Sequence, residues 1–258
     1  MSIEENNGGA AGAQRVLITA GGSGIGACLV RRFLAQGARV AYCDLDPGHV
    51  PDGAMGYQAD VTDEAQMQAF FDAAEAFLGG VDVVCANAGI GGPASPIAEM
   101  DFAAWRACVA ANLDGAFLTC RWAAGRMAAQ NGGAIILMSS TSGQWGVPTR
   151  SPYVTAKWGI LGLMKTLAME LGPHGVRVNA ICPGAVEGDR MERVVAMEAA
   201  ARGVPADSVR TLYADGNSLR TWVTADDLAD MILFLTSPQG AKISGQAIAV
   251  DGNTERMT

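Results

Sequence analysis

Short apolar runs alternate along the chain with longer stretches whose apolar positions recur every three to four residues. Near-continuous apolar runs bounded by Gly, Pro or Asp read as strands covered on both faces. They occur at RVLITA (15–20), RVAYCD (39–44), MGYQAD (55–60), VDVVCANAG (81–89), GAIILMSS (133–140), VRVNAICPG (176–184) and AIAVDG (247–252). Helical periodicity fills most intervals: residues 26–37, 63–80, about 101–127, about 152–171 and 224–237. The interval between the second and third strands, LDPGHVPDGA (45–54), holds two prolines and two glycines and leaves no room for a helix.

Strands that alternate with helices predict an α/β fold, a single Rossmann-type doubly wound sheet of seven parallel strands with helices on both faces. No repeat, low-complexity block or linker divides the chain. The first 14 residues, MSIEENNGGAAGAQ, read as a flexible tail ahead of one domain, 15–258. With two Glu and no apolar core they do not read as a signal peptide. The 258 residues carry a formal net charge of −8, which argues against a nucleic-acid partner. No apolar run of membrane-spanning length occurs. Six cysteines (28, 43, 85, 108, 120 and 182) are dispersed without a C-x-x-C pair, the usage expected of reduced, buried thiols in a cytoplasmic protein. The two histidines, His49 and His174, lack metal-like neighbours, so no metal is expected.

ITAGGSGIG (18–26) closes the first strand and opens a helix. Such a turn lets backbone approach a pyrophosphate at the positive end of the helix. Asp44, at the end of strand two, follows Gly26 by 18 residues, where a carboxylate holds an adenosine ribose. It would repel a 2′-phosphate, and neither AGGSG nor DLDPG supplies a basic residue, so NAD is the expected cofactor. The plainer reading, a tight strand-to-helix turn that binds nothing, does not account for Asp44.

YVTAKWG (153–159) places Tyr153 and Lys157 four positions apart on one helix face. The chain has only four tyrosines and three lysines, so the pair is not expected by chance. A free phenol titrates near ~10 and is a poor base at neutrality. Bringing it to neutrality takes about 4 kcal/mol of differential stabilisation, which fixed cations in a dry cleft can supply. The alternative is a surface contact worth a few tenths of a kcal/mol.

The glycine spacing, as Thr19, Ala20, Gly24 and Gly26, resembles the T-G-x-x-x-G-x-G of the short-chain dehydrogenase/reductase family. DVT (60–62), NAG (87–89), Asn112 in ANLDGAF, SS (139–140), YVTAK and CPG (182–184) follow in the family order, over residues 15 to about 252. Ala20 stands where the family usually has glycine; Gly21 is expected to supply the flexibility. The resemblance implies a catalytic set of Asn112, Ser140, Tyr153 and Lys157. Ser140 would orient the substrate oxygen, Tyr153 would act as general base, Lys157 would hold the phenolate and a cofactor ribose, and Asn112 would hold a proton-relay water. Ser139 is expected to point to the other face of the sheet. The implied cofactor contacts are Ser23, Gly24, Ile25 and Gly26 in the turn, Asp44, Asp60 and Val61 at adenosine, Asn87, Ala88 and Gly89, Tyr153 and Lys157, and Pro183, Gly184 and Val186 at the nicotinamide. Gly188 stands where the family often has a cofactor-bonding Thr.

Residues 187–221 interrupt the strand–helix rhythm and are expected to form a lid over the substrate. They carry five arginines interleaved with acids, of which Arg190 is the candidate for a substrate carboxylate, sulfonate or phosphate. Gln144 and Trp145 are further candidate walls. The expected activity is NAD-dependent hydride transfer between the nicotinamide and a secondary alcohol or ketone. The rivals are a 3-oxoacyl thioester reductase, commonly NADPH-dependent and so at odds with Asp44, and a catalytically silent NAD-binding regulator, which would not need Tyr153. The partners are a small alcohol or carbonyl substrate and, by resemblance, three further copies in a homotetramer, with no nucleic acid and no membrane.

Overall fold

A computed structural model of the protein describes residues 13–255, so the tail expected at 1–14 lies almost wholly outside the described residues. Seven parallel strands form one sheet in the order β3-β2-β1-β4-β5-β6-β7. They are β1 (Arg15–Thr19), β2 (Arg39–Asp44), β3 (Ala54–Gln58), β4 (Val83–Ala86), β5 (Gly133–Met138), β6 (Val176–Pro183) and β7 (Ala247–Val250). Helices α1 (Gly24–Ala35), α2 (Glu64–Leu78), α3 (Phe102–Val109), α4 (Gly115–Gln130), α5 (Ser151–Leu171), α6 (Asp189–Arg202), α7 (Ala206–Asp215) and α8 (Ala225–Thr236) complete the order. The expected fold is the observed one, and residues 45–53 hold no helix.

Alternation along each strand divides the core into two layers. Val16, Ile18, Val40, Tyr42 and Ile136 pack with Leu29, Phe33, Leu228 and Ile232 of α1 and α8. Leu17, Ala41, Ile135 and Leu137 pack with Phe70, Phe71, Met127, Ile160 and Met164 of α2, α4 and α5. Period-two alternation dictates this split, and burying both faces explains the near-continuous apolar runs. Each large apolar side chain so buried contributes roughly 1.5–3 kcal/mol. A small third cluster, Val195, Ala199 and Val209 with Tyr213 and Trp222, holds α6 to α7. All six cysteines are buried and unpaired. Among the described residues no helix is long and apolar enough to cross a membrane.

The chain winds from β1 outward to β3, then returns to β4 on the other side of β1 and continues to β7. The carboxyl ends of β1 and β4 therefore diverge, the place where open α/β sheets form a crevice. The Thr19 hydroxyl bridges it by accepting the backbone N–H groups of Asn87 and Ala88, both at 3.0 Å.

Three local expectations are corrected. The helix expected over 101–127 contains one wide i→i+5 turn, Ala110–Asp114, between α3 and α4. Asn112 sits in it, and its amide occupies the Cys108 carbonyl at 2.9 Å, competing with the backbone ladder. Strands β4 and β5 end at Ala86 and Met138, before the polar residues assigned to them: the N–H groups of Asn87 and Ala88 go to the Thr19 hydroxyl, and Ser139 makes one last ladder bond, to the Ile181 carbonyl at 2.8 Å. Ala20 itself adopts the left-handed conformation (φ 54°), whereas Gly21 has no such backbone. Gly21 is needed for space: a Cβ there would stand 2.6 Å from the Tyr42 ring. The left-handed region costs an alanine about 1–2 kcal/mol.

Candidate active site

The glycine turn is built by close approach. A Cβ on Gly26 would collide with the Ala20 carbonyl, so the first turn of α1 lies directly against the end of β1. Asn87 donates its amide to the carbonyls of Thr19 (3.1 Å) and Ala20 (3.2 Å), fixing both sides of the crevice. The N-cap of α1, Ser23, makes no side-chain cap bond, and the first turn holds no acid. By contrast, α2, α3 and α8 are capped by Asp63, Asp101 and Thr224. Unfilled backbone N–H groups at a positive helix end, without a competing carboxylate, suit an anion such as a pyrophosphate. Ser23, Gly24 and Ile25 line this end.

Asp44 ends β2 and reaches back to the turn, accepting the Gly22 N–H at 2.9 Å. Its carboxylate is thereby held beside the pyrophosphate-type site. Asp60 is engaged locally, accepting the N–H and hydroxyl of Thr62, both at 2.8 Å. Val61 packs where a Cβ on Gly115 would press at 2.9 Å. At the far end of β6, Gly184 donates to Val250 at 3.1 Å and Val186 bridges to Val223. Pro183 is buried in the last register of β6 against β7. Gly188 (φ 135°, ψ 169°) occupies a region open essentially to glycine. A threonine could not stand there without changing the backbone, which accounts for the departure from the family pattern.

The side chains expected to carry the chemistry meet at the β5 end of the crevice. Lys157 is buried (3% exposed) and donates to the Met138 carbonyl at 2.9 Å. Ser140 accepts the Ser142 N–H at 3.1 Å and lies beside the Tyr153 phenol. Ser139 does not point away from this side. Its hydroxyl donates to the Lys157 carbonyl at 2.9 Å, in step with Ile135 and Leu137, which share its strand parity and pack in the α5 layer. Asn112 is 1% exposed and donates to Ile90 at 2.9 Å as well as to Cys108, which leaves its Oδ1 without a hydrogen-bond partner. A Cβ on Gly89 would collide with that Oδ1 and stand 3.3 Å from Lys157 Nζ, so acceptor and ammonium face each other across Gly89.

Burial by itself would push the Tyr153 phenol up. Lys157, then Arg190, Ser140 and Arg150 pull it the other way, and the net direction is down. Burial also holds Lys157 below an ordinary lysine, opposed by Tyr153 and reinforced by Arg190. Arg150 Cζ stands 5.4 Å over the Tyr153 ring and Lys157 Nζ stands 5.5 Å from the same centroid.

Comparison with known proteins agrees with this geometry. The family described as enoyl-(acyl carrier protein) reductase, of the short-chain dehydrogenase type, matches residues 19–253. The chain belongs to the short-chain dehydrogenase/reductase family. Among the relatives of this short-chain dehydrogenase/reductase is 2-(S)-hydroxypropyl-CoM dehydrogenase 3 of Xanthobacter autotrophicus, 35% identical over 92% of this chain and 94% of that one. Cis-4-hydroxycyclohexanecarboxylate dehydrogenase of Sinomonas cyclohexanicum is 35% identical over 95% and 98%. A solved structure of NAD+-bound xylitol dehydrogenase superposes with TM-score 0.87 at 25% identity, covering 93% of this chain and 98% of that one.

Sequence reasoning read Thr19 only as part of the glycine motif and Cys108 only as a buried thiol, and noted Arg150 ahead of Tyr153 without foreseeing that it stands over the ring. Arg150 immediately precedes α5, three positions before Tyr153, and helix-face spacing was a usable signal for it. Cys108 lies one helical turn before Asn112, a relation visible only once the wide turn is known. Gln144 and Trp145 follow the Thr141–Gly143 turn and are exposed, Trp145 at 45%. Neither side chain makes a hydrogen bond among the described residues.

Proposed function

We propose that the protein is an NAD-dependent secondary-alcohol dehydrogenase in which Tyr153 takes the hydroxyl proton. The observation that carries this reading is Tyr153 flanked by Arg150 and Lys157, 5.4 and 5.5 Å from its ring centroid, beside Ser140 at the carboxyl end of the sheet that also holds the glycine turn. The nicotinamide, when bound, takes up the hydride from the carbinol carbon. Ser140 hydrogen-bonds the substrate oxygen and keeps it within reach of the phenolate. Lys157 keeps that phenolate charged and supplies donors for a ribose. Asn112 Oδ1, facing Lys157 across Gly89, is placed to accept from a water that relays the proton outward. Asp44, fixed by Gly22 and without a basic neighbour, favours a free 2′-hydroxyl and therefore NAD. The segment 187–221, carrying α6 and α7, is the substrate-covering element.

An absorbance screen for NADH formation over sugars, polyols, hydroxy acids and ring alcohols tests the reading. Turnover of at least one secondary alcohol with NAD is expected. Tight NADH binding with no turnover of any alcohol or ketone would instead support the silent regulator. The description of the matched family favours keeping a thioester substrate as the alternative. Reduction of an acetoacetyl thioester faster than any ketone in the screen decides for it.

A further inference from the structure

The segment between β6 and α8 carries five arginines. Three are neutralised by carboxylates: Arg202 by Glu198 at 2.5 Å, Arg210 by Glu192, and Arg220 by Glu255 at 3.5 Å. Arg190 forms no ion pair among the described residues. The acids nearest it in the chain are Glu187, Asp189 and Glu192, and none pairs with it. Its guanidinium turns to the crevice. A Cβ on Gly91 would lie 3.4 Å from Nη2 of both Arg190 and Arg150, and 4.0 Å from Nε of Arg190.

Arg150 is fixed at the same spot from the other side. Its Nη2 donates to the Gly91 carbonyl at 2.7 Å and its Cζ stands over the Tyr153 ring. That bond uses one of five donors, and no carboxylate pairs with Arg150 among the described residues. Two like charges are thus held side by side next to the buried Lys157. An arginine fork matches the paired oxygens of a carboxylate, sulfonate or phosphate, and a neutral group in the same place leaves its donors unmatched. The contacts at Gly91 and the Tyr153 ring put this fork beside the phenol.

We propose that Arg150 and Arg190 form an anion subsite that selects secondary alcohols bearing an ionised carboxylate, sulfonate or phosphate. The subsite deepens the dehydrogenase reading and rests on it only for the oxidation of the hydroxyl. It does not distinguish the three acids, which share the recognised oxygens.

The test separates binding from turnover. Cyclohexanecarboxylate, cyclohexanesulfonate, cyclohexyl phosphate and the neutral cyclohexanecarboxamide are titrated calorimetrically into the protein with and without NAD+. At least one anion binds tenfold or more tightly than the amide, and the order among them identifies the preferred acid. Arg190→Gln removes at least tenfold of that affinity, Arg190→Lys less, and Arg150→Gln at least as much as Arg190→Gln. Arg193→Gln, on the same helix, leaves it within twofold. Arg190 is exposed, so its variants are expected to fold even where Arg150→Gln does not. Anions that bind no better than the amide, or equal losses in the Arg193 variant, overturn the subsite. In the turnover arm, cis-4-hydroxycyclohexanecarboxylate is oxidised with at least tenfold higher kcat/KM than its methyl ester, and Arg190→Gln narrows the ratio. An equally good ester overturns the selectivity. Anion binding without oxidation of any alcohol overturns the dehydrogenase reading and leaves the subsite standing.

Discussion

Tyr153→Phe removes one hydroxyl from a half-buried ring and nothing else. The ring keeps its place between Arg150 and Lys157, whose charges lie 5.4 and 5.5 Å from its centroid. The structural loss is at most one hydrogen bond of the phenol, worth about 0.5–1.5 kcal/mol. The chemical loss is the proton acceptor, and general-base catalysis is worth roughly 10²–10⁴-fold, about 2.7–5.4 kcal/mol of barrier. Turnover therefore falls by at least two orders of magnitude while the unfolding midpoint moves little. NADH affinity, which rests on the glycine turn, Asp44 and Lys157, stays near wild type. The pH profile gives a second reading. Tyr153 is held below an ordinary phenol, so the wild-type oxidation rate rises with pH through a value below ~10 as the phenolate forms. Lys157 is held below an ordinary lysine as well, so loss of its proton lowers the rate at high pH. The rising limb disappears in Tyr153→Phe. The assay is NADH formation from a good substrate across pH, with NADH titration by fluorescence alongside. Near-wild-type turnover, or an unchanged rising limb, would refute Tyr153 as the base.

Asp44→Ala narrows the preference for NAD over NADP by ten- to a hundredfold, about 1.4–2.8 kcal/mol, read as kcat/KM for both cofactors; a wild-type preference for NADP would remove the role assigned to Asp44. Ala20→Gly relieves the left-handed backbone at φ 54° and raises stability by about 0.5–1 kcal/mol after the glycine entropy cost, seen in the urea midpoint; a loss of stability would mean the conformation carries no strain. The homotetramer expected from the resemblance would cover the exposed Phe117, Trp158 and Met169 of α4 and α5; sedimentation at micromolar concentration is expected to give four copies, and a monomer refutes it.

The sheet was legible because both its faces are covered, which leaves apolar runs such as RVLIT and GAIILM unbroken. Strand ends were less legible. Asn87 and Ala88 donate to the Thr19 hydroxyl and the Ser139 hydroxyl to α5, partners set by tertiary contact. The wide turn at 110–114 does not show in the periodicity: the Asn112 amide takes the Cys108 carbonyl one turn back and that of Ile90, 22 residues away. Ser140, Tyr153 and Lys157 could be named from spacing and resemblance, since spacing survives folding. Arg190 could be singled out among the arginines of 187–221, but the carboxylates that engage Arg202, Arg210 and Arg220, and the approach of Arg190 to Gly91, are set by tertiary contact.

Two hydrogen bonds run in opposite directions between the end of β5 and α5: Lys157 Nζ to the Met138 carbonyl, and Ser139 to the Lys157 carbonyl. Strand and helix are riveted at the one residue that also charges the phenol. The proton-transfer half of the crevice is thus a sealed cassette whose internal spacing owes nothing to α6 or α7. The other half hangs on the Val186–Val223 bridge and a three-residue core of its own. Such a division makes the molecule a chassis with an exchangeable front: grafting a different 187–221 segment onto it alters what is admitted and, with Arg190 gone, the charge around the phenol, while the contacts that hold Lys157 stay in place.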